Sequence, residues 1–396
     1  MISFLLFWLP VVLLGYTYLL YPLLLELFAW RLPAKAPPSP PTTLPRIAIL
    51  MAAFNEEKVL PAKLASVRNL DYPSDRLTFW VGSDGSTDAT DSLLAEAAAA
   101  GLPLQWMRLE GRLGKASVLN ALREAVAKAE NQPDLLLLTD ANILYDPALL
   151  QRMVRHFNDP AIGLVGAVVK HPGKARADGI ARQEGAYISR ENRIKYLEGT
   201  LWGAMMGAFG ACYMVRRQDF PALPAHFLME DFYASMHVLA SGRKAILDPE
   251  ATCTEDLPDA MGQEFRRKVR ISAGNFQNLR HWLGLLWPPS ALSFTFLSHK
   301  ILRWLGPLWL IWALVGAVIL TFSQPGYVYA LVLQGIFWSI PLLDRVLQRL
   351  GIHIGPVRLI GYFCSMNVAL LAGFLRYLRG IRSTAWQPPT RQSHHG

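Results

Sequence analysis

Long apolar runs stand near both ends of this chain, and a stretch of ordinary polarity lies between them. Residues 2–30 contain one charged side chain, Glu26, and are long enough to cross a hydrocarbon core of about 30 Å. Three further apolar runs fall at about 302–322, 326–343 and 357–375. The pattern predicts four membrane-spanning helices. The first run is not typical of a signal peptide, because no basic residues precede it and no A-x-A site follows it.

Between these runs, short apolar segments alternate with segments of helical periodicity. Strands are predicted at 46–54, 77–84, 102–109 and 135–140, and helices at 56–69, about 87–100 and about 115–130. Alternation of this kind indicates a parallel sheet with right-handed helical crossovers. We therefore predict an α/β domain with a mostly parallel sheet, combined with transmembrane α-helices.

Composition divides the chain into successive segments. A Pro-rich stretch at 33–45, PAKAPPSPPTTLP, is typical of an extended linker. It separates a first transmembrane helix at 1–32 from the α/β domain at 46–280. A Trp-rich segment at 281–300 is predicted to lie at the membrane interface. Transmembrane helices at 301–380 and a tail at 381–396 complete the predicted organisation.

The charge is unevenly distributed. The chain carries a formal net charge of +9, and from residue 261 onward fourteen Lys and Arg stand against two Asp and Glu. A basic region beside membrane spans predicts contact with anionic lipid headgroups, or with an anionic ligand at the membrane surface. No nucleic acid is expected as a partner, because no DNA- or RNA-binding motif accompanies the charge.

The basic residues around the spans predict an orientation. No Lys or Arg precedes the first span, whereas Arg31, Lys35 and Arg46 follow it, which predicts a cytoplasmic central domain. We expect a multi-pass protein of a bacterial-type inner (plasma) membrane. Arg376 and Arg379 would lie outside if three spans follow the domain, so the side of the C-terminus stays open. The three cysteines lack metal-ligand spacing and fit a reducing compartment.

All four predicted strands are followed by polar residues. The segments read FNEE, SDGSTD, EGRLGK and TDAN. Ligands of open α/β sheets bind beyond the carboxyl ends of the strands, so these segments predict a binding site. The sequence contains neither G-x-G-x-x-G nor a Walker A motif, which disfavours dinucleotide oxidoreductases and P-loop NTPases. Helix capping is the alternative explanation for each Asp and Asn taken singly.

Taken together, these segments resemble the inverting glycosyltransferases of family 2, which have a GT-A fold. In that family F-N-E, D-G-S-T-D, a K-x-x-x-L-N segment, a D-x-D-type motif and an E-D base recur in this order, and the match covers about 46–280. The resemblance implies a GT-A (Rossmann-like, mostly parallel) domain, with membrane helices placed as in polysaccharide and cellulose synthases. It also implies a hexosyltransferase-type enzyme.

The resemblance assigns a UDP-sugar donor to the first strand ends. Asn55, Glu56 and Asp84 would hold the base and ribose, the base being uracil. Lys115 would reach the diphosphate, although a lysine at the start of a helix is by itself more often a solvated residue.

The D-x-D position implies a metal site. Asp140 takes the first position and would bind Mg²⁺ or Mn²⁺ between the two donor phosphates, since these cations prefer oxygen ligands. The third position is Asn142 instead of Asp. Its amide oxygen can coordinate a cation or accept a hydrogen bond, but it adds no charge.

Two further segments imply the acceptor site and the base. The first, GAFGACYMVRR at 207–217, resembles a glycine-rich acceptor segment. Gly207, Phe209 and Gly210 would let a sugar approach the backbone there, and tight helix–strand packing is the alternative. The second, MEDFYAS, resembles the E-D motif. Asp231 would take the proton of the acceptor hydroxyl as it attacks C1 from behind the leaving UDP, and Glu230 would orient Asp231 or contact the acceptor.

The segment EFRRKVRISAGNFQN at 264–278 lies where processive members of the family carry Q-x-x-R-W. Aligned on the final Arg, Arg267 takes the Gln position, Arg270 the Arg position and Ile271 the Trp position. Arginine suits a bound diphosphate, and headgroup binding is the alternative. Without the Trp the aromatic platform for an acceptor sugar is missing, so polymerisation and single addition to a lipid-linked acceptor both stay open.

The sequence as a whole predicts a membrane-bound inverting glycosyltransferase. It would move a sugar from a UDP-sugar to a glycan or lipid-linked acceptor at the cytoplasmic face, in exopolysaccharide or cell-envelope glycan synthesis. Membrane lipids are expected neighbours, and export partner subunits are compatible with this role. The alternative from another class is a sugar-nucleotide-binding scaffold or transporter without turnover. Four spans are few for a transporter, and the sequence shows no internal repeat.

Overall fold

The computed structural model describes residues 2–33, 37–170, 180–255 and 261–381. These residues form two compact units that are interleaved along the chain. The described residues of the helical unit fall within Met1–Trp30, Lys174–Glu191 and Ala260–Gly380, and those of the sheet unit fall within Arg31–Gly173, Asn192–Asp259 and Ile381–Gly396. The predicted tail lies outside the described residues, apart from Ile381.

The sheet unit is built on one eight-stranded mixed sheet. Its strands are β1 (Ile47–Ala53), β2 (Leu77–Ser83), β3 (Leu104–Arg108), β4 (Leu135–Thr139), β5 (Ile143–Tyr145), β6 (Ile162–Lys170), β7 (Cys212–Arg216) and β8 (Lys244–Glu255). Their order across the sheet is β3-β2-β1-β4-β7-β6-β8-β5.

The first four strands confirm the predicted alternation and pair in parallel. Ile47 of β1 lies opposite Leu77 of β2 and Leu135 of β4, and every residue of β1 and β4 is buried. Strands buried on both faces are expected to read as continuous apolar runs. The second half of the sheet is mixed, because β7 runs antiparallel to both β4 and β6, and β5 runs antiparallel to β8.

Helices and short 3₁₀ turns connect these strands. The helices are Leu60–Arg68, Thr90–Ala99, Lys115–Ala127, Leu149–Val154 and Glu230–Ala240, and a longer helix, Ile180–Trp202, belongs partly to each unit. The 3₁₀ turns are Ser74–Arg76, Arg155–Asn158 and Arg217–Asp219. The predicted helices at 56–69, 87–100 and 115–130 correspond to the first three helices, each of which begins and ends within four residues of its predicted bounds.

The helical unit contains the apolar helices. Ile2–Gly15 continues through a π-helical stretch, Tyr16–Leu20, into Tyr21–Trp30. The C-terminal part begins with Met261–Trp282 and a 3₁₀ turn at Leu283–Leu286, and continues with Ala291–Thr295, a second π-helical stretch at Phe296–Ile301, and Leu302–Trp304. It ends with Gly306–Ser323, a 3₁₀ turn at Pro325–Tyr327, Val328–Arg349 and Gly355–Leu378.

Four stretches of the described chain are long and apolar enough to cross a membrane, as predicted. They are Ile2–Trp30, Gly306–Ser323, Pro325–Arg349 and Gly355–Leu378. The first packs closely on the second: a Cβ added at Gly316 would lie 2.6 Å from the backbone nitrogen of Phe7. Small residues allow such close approach between membrane helices.

An ion pair joins the last two of these stretches. The Nε of Arg358 lies 3.8 Å from Oδ1 of Asp344, and both residues are buried. Ionisable groups in membrane helices are usually paired, because an isolated charge in an apolar medium is unfavourable. This pair therefore gives the two helices a specific contact.

Candidate active site

The loops after β1 and β2 are bonded to each other. Asn55 has a left-handed backbone (φ 51°), a conformation that Asn tolerates better than most residues. Its Oδ1 accepts a hydrogen bond from the Thr87 backbone N–H at 2.8 Å, and its Nδ2 donates to Thr87 Oγ1 at 3.2 Å. The backbone N–H of buried Glu56 donates to Thr90 Oγ1. The predicted base-and-ribose residues are thus fixed by the D-G-S-T loop, in the case of Asn55, and by the start of the following helix, in the case of Glu56.

Asp84 holds the loop that leads to Lys115. Its carboxylate is buried and accepts backbone hydrogen bonds from Leu113 (2.7 Å, to Oδ1) and Gly114 (3.1 Å, to Oδ2). Arg112 adds an ion pair at 3.4 Å. Both oxygens of Asp84 are thus bonded within the protein, and the ribose or base contact of Asp84 stays a prediction.

A glycine is required beside Asp84. Gly85 has a φ of +71°, and a Cβ there would lie 2.7 Å from the carbonyl oxygen of Gly111. The D-G turn and the G-R-L-G loop therefore pack backbone against backbone, which any side chain at position 85 would prevent.

Lys115 joins two acidic residues that are far apart in sequence. Its Nζ lies 2.6 Å from Oδ1 of Asp140 and 2.7 Å from Oε1 of Glu230. Burial alone would lower the pKa of this lysine, but the two carboxylates outweigh burial and raise it. The ammonium group is therefore securely charged, and it brings the end of β4 and the start of the helix Glu230–Ala240 to one place.

Asp140 and Asn142 lie in the short turn between β4 and β5. The Asp140 side chain is 39% exposed, so it stays accessible while Lys115 contacts Oδ1. The Nδ2 of Asn142 donates to Oε1 of Glu255, at the end of β8, at 3.0 Å. Sequence reasoning missed Glu255, because β8 was not predicted and nothing in the local sequence indicates what its last residue contacts.

This donor set fits a hard divalent cation that takes most of its ligands from elsewhere. Within the described residues, no group of three or more His, Cys, Asp and Glu side chains could hold a metal ion. Mg²⁺ is commonly bound through one or two carboxylates, with substrate phosphates and water completing its shell. An accessible Asp140 with the amide of Asn142 beside it in the turn matches that pattern.

Glu230 and Asp231 begin the helix Glu230–Ala240, and both are buried. Oδ1 of Asp231 accepts a hydrogen bond from the Phe232 backbone N–H at 2.8 Å. Burial and the neighbouring charge of Glu230 raise the pKa of Asp231 to about 6, against the opposing effect of Lys115. A carboxylate with this pKa is ionised at neutral pH and is a far better proton acceptor than an exposed Asp.

The glycine-rich segment packs directly against these acids. A Cβ at Gly210 would lie 2.7 Å from Oδ2 of Asp231, and a Cβ at Gly207, which has a φ of +76°, would lie 2.6 Å from the Phe232 ring. The Nζ of Lys195 stands 3.7 Å from the centroid of the Phe209 ring. The packing alternative for this segment is therefore observed. Of the predicted acceptor residues, Gly210 lies beside the predicted base, Gly207 beside the next residue, Phe232, and Phe209 beside Lys195.

Arg267, Arg270 and Ile271 lie on the helix Met261–Trp282 of the helical unit. Arg267 is exposed and Arg270 is partly exposed. Their roles toward a diphosphate stay predictions, as does the consequence of Ile271 for polymerisation.

The sequence of residues 48–222 matches a known family, described as Glycosyl transferase family 2. Residues 48–222 are thus similar to a family 2 glycosyltransferase domain. The match includes the F-N-E, D-G-S-T-D, G-K and D-A-N segments and the glycine-rich segment as far as residue 222, and it ends before the E-D segment.

Named relatives agree with this family. The chain is 31% identical over 136 residues to a beta-monoglucosyldiacylglycerol synthase of Synechocystis. The aligned region covers 33% of this chain and 28% of the relative. It is 24% identical over 250 residues to an N-acetylglucosaminyltransferase of Rhizobium leguminosarum, covering 59% of this chain and 57% of the relative. The chain thus spans between about a quarter and three fifths of the length of these curated relatives.

A solved structure confirms the predicted fold class. The mannosyltransferase PcManGT from Pyrobaculum calidifontis, solved in complex with GDP-Man and Mn²⁺, matches with a TM-score of 0.68 and 20% sequence identity. The match covers 93% of this chain and 97% of that one. The shared fold therefore extends well beyond the family-matched residues, and at this identity it is evidence for the fold alone.

Proposed function

We propose that this protein is a membrane-bound inverting glycosyltransferase that moves a sugar from a nucleoside diphosphate sugar to a glycan or lipid-linked acceptor. The observation that carries the proposal is the bridge made by Lys115, whose Nζ contacts both Asp140 and Glu230. It brings the predicted diphosphate-binding turn next to the residue that precedes the predicted base, Asp231. Lys115 and Asp140 lie within the residues that match family 2, and Glu230 follows them. The four apolar helices support a location in the membrane.

Asp231 is the proposed general base. Its carboxylate is ionised at neutral pH, and Oδ2 faces the small residue Gly210. In a direct displacement, the acceptor oxygen forms a bond to C1 of the donor sugar while the bond from C1 to the diphosphate oxygen breaks. The hydroxyl proton passes to Asp231, and the nucleoside diphosphate leaves with the bonding electrons. Glu230 keeps Lys115 in place beside this carboxylate.

The diphosphate is proposed to lie by Asp140, Asn142 and Lys115. Asp140 and Asn142 would hold a Mg²⁺ or Mn²⁺ ion, which when bound neutralises charge developing on the leaving diphosphate. Lys115 contributes a permanent positive charge from the protein itself. Asp84 supports this arrangement through the backbone hydrogen bonds that fix the loop before Lys115. Arg267 and Arg270 are proposed as further diphosphate ligands.

The donor base and the acceptor are proposed from sequence segments and from the named relatives. The F-N-E and D-G-S-T-D segments favour a UDP-sugar, whereas the mannosyltransferase with the same fold was solved with GDP-Man. Relatives named for a glucosyl lipid and for N-acetylglucosamine transfer support either kind of acceptor. Ile271, in place of the aromatic residue of processive members, favours the addition of a single sugar to a lipid-linked acceptor.

The sheet unit is proposed to lie in the cytoplasm, where nucleotide sugars are available. Arg31 and Arg46 after the first span support this side under the positive-inside rule. A role in exopolysaccharide or cell-envelope glycan synthesis, with export partner subunits, is consistent with that placement.

The test is release of nucleoside diphosphate by the purified protein in detergent or nanodiscs. A panel of UDP- and GDP-sugars is offered with Mg²⁺, Mn²⁺ or EDTA, in the presence of total membrane lipid as the source of acceptor. We expect release with one sugar only, at least a hundredfold loss in Asp231→Asn, and a strong loss with EDTA. Product size on a gel separates one added sugar from a polymer.

The decisive control separates a transferase from a binding scaffold. Asp231→Asn retains the size and the Phe232 hydrogen bond of the native residue, so it should still bind nucleotide as the wild-type protein does. Nucleotide binding without turnover by the wild-type protein, across the whole panel and with lipid acceptors supplied, would contradict the proposal and favour the scaffold.

A further inference from the structure

A fully buried lysine lies beneath the turn that carries Asp140. Lys63 is on the helix Leu60–Arg68, and its side chain has no exposed surface. Leu60 and Val67 occupy the same helical face and are buried as well, as expected for a helix packed on a sheet. An ammonium group among such neighbours is unfavourable unless it is well bonded.

The hydrogen bonds of Lys63 reach both sides of one short turn. Its Nζ donates to Oγ1 of Thr139 at 2.9 Å and to the carbonyl oxygen of Ile143 at 2.8 Å. Thr139 is the last residue of β4, and Ile143 is the first residue of β5. The three residues between these two acceptors are D-A-N, the predicted metal and diphosphate segment.

An aromatic ring completes the environment of this ammonium group. The Nζ of Lys63 lies 3.7 Å from the centroid of the Tyr145 ring, a cation–π arrangement that is most effective where water is excluded. Tyr145 is the last residue of β5. The three contacts of Lys63 therefore all fall on the ends of the two strands that frame the turn.

We propose that Lys63 is a positioning residue for the donor site: it holds the turn between Thr139 and Ile143 in the conformation that presents Asp140 and Asn142 to a metal-bound diphosphate. This inference rests on the proposed function, since it assumes that the turn binds a diphosphate. It goes further because it assigns the conformation of that turn to Lys63, a residue outside the D-x-D segment.

Packing alone does not explain a lysine at this position. A Met side chain has nearly the same length and would fill an apolar site without the cost of burying an ammonium group. Burial lowers the pKa of Lys63 to about 7, which shows how unfavourable the charged form is here. What Met lacks is the pair of N–H donors that tie the two ends of the turn together.

The test is the effect of Lys63→Met on metal-dependent nucleotide binding by the full-length protein. Affinity for UDP, with GDP as a parallel probe, is measured in excess Mn²⁺ and in excess EDTA. Supporting residues around metal ligands typically change metal affinity or activity by about 10–100-fold when mutated. We expect Lys63→Met to weaken nucleotide binding in Mn²⁺ by about tenfold and to leave binding in EDTA unchanged within error.

Val67→Ala is the matched control. It removes buried volume one helical turn further along the same face, and so weakens the same helix–sheet packing without touching the turn. It should lower thermal stability but keep the wild-type ratio between affinities in Mn²⁺ and EDTA. A Lys63→Met protein that loses stability but keeps that ratio would overturn the inference.

A second variant protects the test against misfolding of Lys63→Met. Thr139→Val removes one acceptor of the lysine at nearly constant volume, and we expect the same selective loss of Mn²⁺-dependent affinity, to a smaller extent. An unchanged ratio in a folded Thr139→Val protein would likewise overturn the inference. Wild-type protein whose nucleotide binding is absent or indifferent to Mn²⁺ would instead overturn the metal-assisted donor site of the proposed function, and this inference with it.

Discussion

The raised pKa of Asp231 predicts how the activity of this protein depends on pH. A general base acts only when ionised, so kcat/KM follows its ionised fraction in the free enzyme. With a pKa of about 6, about nine tenths of Asp231 is ionised at pH 7 and about one tenth at pH 5. We therefore expect kcat/KM to fall about tenfold over that interval, whereas an Asp of ordinary pKa would remain almost fully ionised at both.

The assay is the initial rate of nucleoside diphosphate release at low donor concentration, with the acceptor constant, between pH 5 and pH 8. Acid damage is controlled by returning samples from pH 5 to pH 7 and requiring full recovery of the rate. Any residual rate of Asp231→Asn should lack the acid limb, because Asn does not titrate in this range.

The cause of the raised pKa can be tested separately. Burial is its largest cause and the negative charge of Glu230 is the next. Glu230→Gln removes that charge while burial remains, so the midpoint of the acid limb should move to lower pH even if the maximal rate falls. A rate that is flat down to pH 5 in the wild-type protein would refute the assignment of Asp231 as a buried general base.

Three further predictions follow from packing and charge. Gly210→Ala places a methyl group against Oδ2 of Asp231 and should lower kcat about 10–100-fold with little change in melting temperature. The control is Gly284→Ala, where a Cβ meets nothing within 4 Å. Equal activity of the two variants would contradict the packing argument. Asp231→Asn should raise the free energy of unfolding at pH 7.5 by up to about 3 kcal/mol. The folded pKa of Asp231 is raised from 3.8 to about 6, so the ionised carboxylate destabilises the fold, with the full effect above pH 6. This destabilisation disappears as the pH falls toward 4. Denaturant unfolding measures the difference in unfolding free energy, which should be smaller at pH 4.5. A variant that is less stable than the wild-type protein at pH 7.5 would show that the carboxylate charge does not destabilise the fold. Asp344→Arg and Arg358→Asp should each lower the melting temperature in detergent, with a loss of about 3 kcal/mol, and the double exchange should recover much of it because the ion pair is restored with reversed polarity; additive losses would contradict a direct interaction.

Local patterns in the sequence determined the class of the fold. The first four strands and the helices between them were predicted within a few residues, since a buried parallel strand must be apolar along its length. The four membrane-length helices were predicted for a similar reason, because their length and lack of charge are set by the hydrocarbon they would cross. The strands β5–β8 were not predicted. The apolar pattern of the longest of them, β8, is interrupted by Asp248, Pro249 and Glu250. The pairing of all four strands depends on distant residues.

Motifs predicted a set of candidate site residues, whereas the contacts of those residues were not predictable from sequence. Sequence alone predicted that Asp84, Lys115 and Asp140 lie close together, because strand ends meet at one edge of an α/β sheet. It assigned Asp84 to the donor, which stays a prediction, and it did not indicate that this carboxylate accepts hydrogen bonds from the backbone of Leu113 and Gly114. A motif records which residue types recur at a position, and it does not record which neighbour satisfies each hydrogen bond.

The sequence by itself indicated the kind of protein: an α/β domain that resembles family 2 glycosyltransferases, placed among apolar helices, with carboxylates at the strand ends. Only the tertiary structure decided that Lys115 contacts both Asp140 and Glu230. The same holds for the hydrogen bonds that Lys63 donates on both sides of the D-A-N turn. The physical reason is the range of the interactions. Periodicity and composition report whether a side chain is buried, whereas the identity of its partner depends on how segments scores of residues apart pack together.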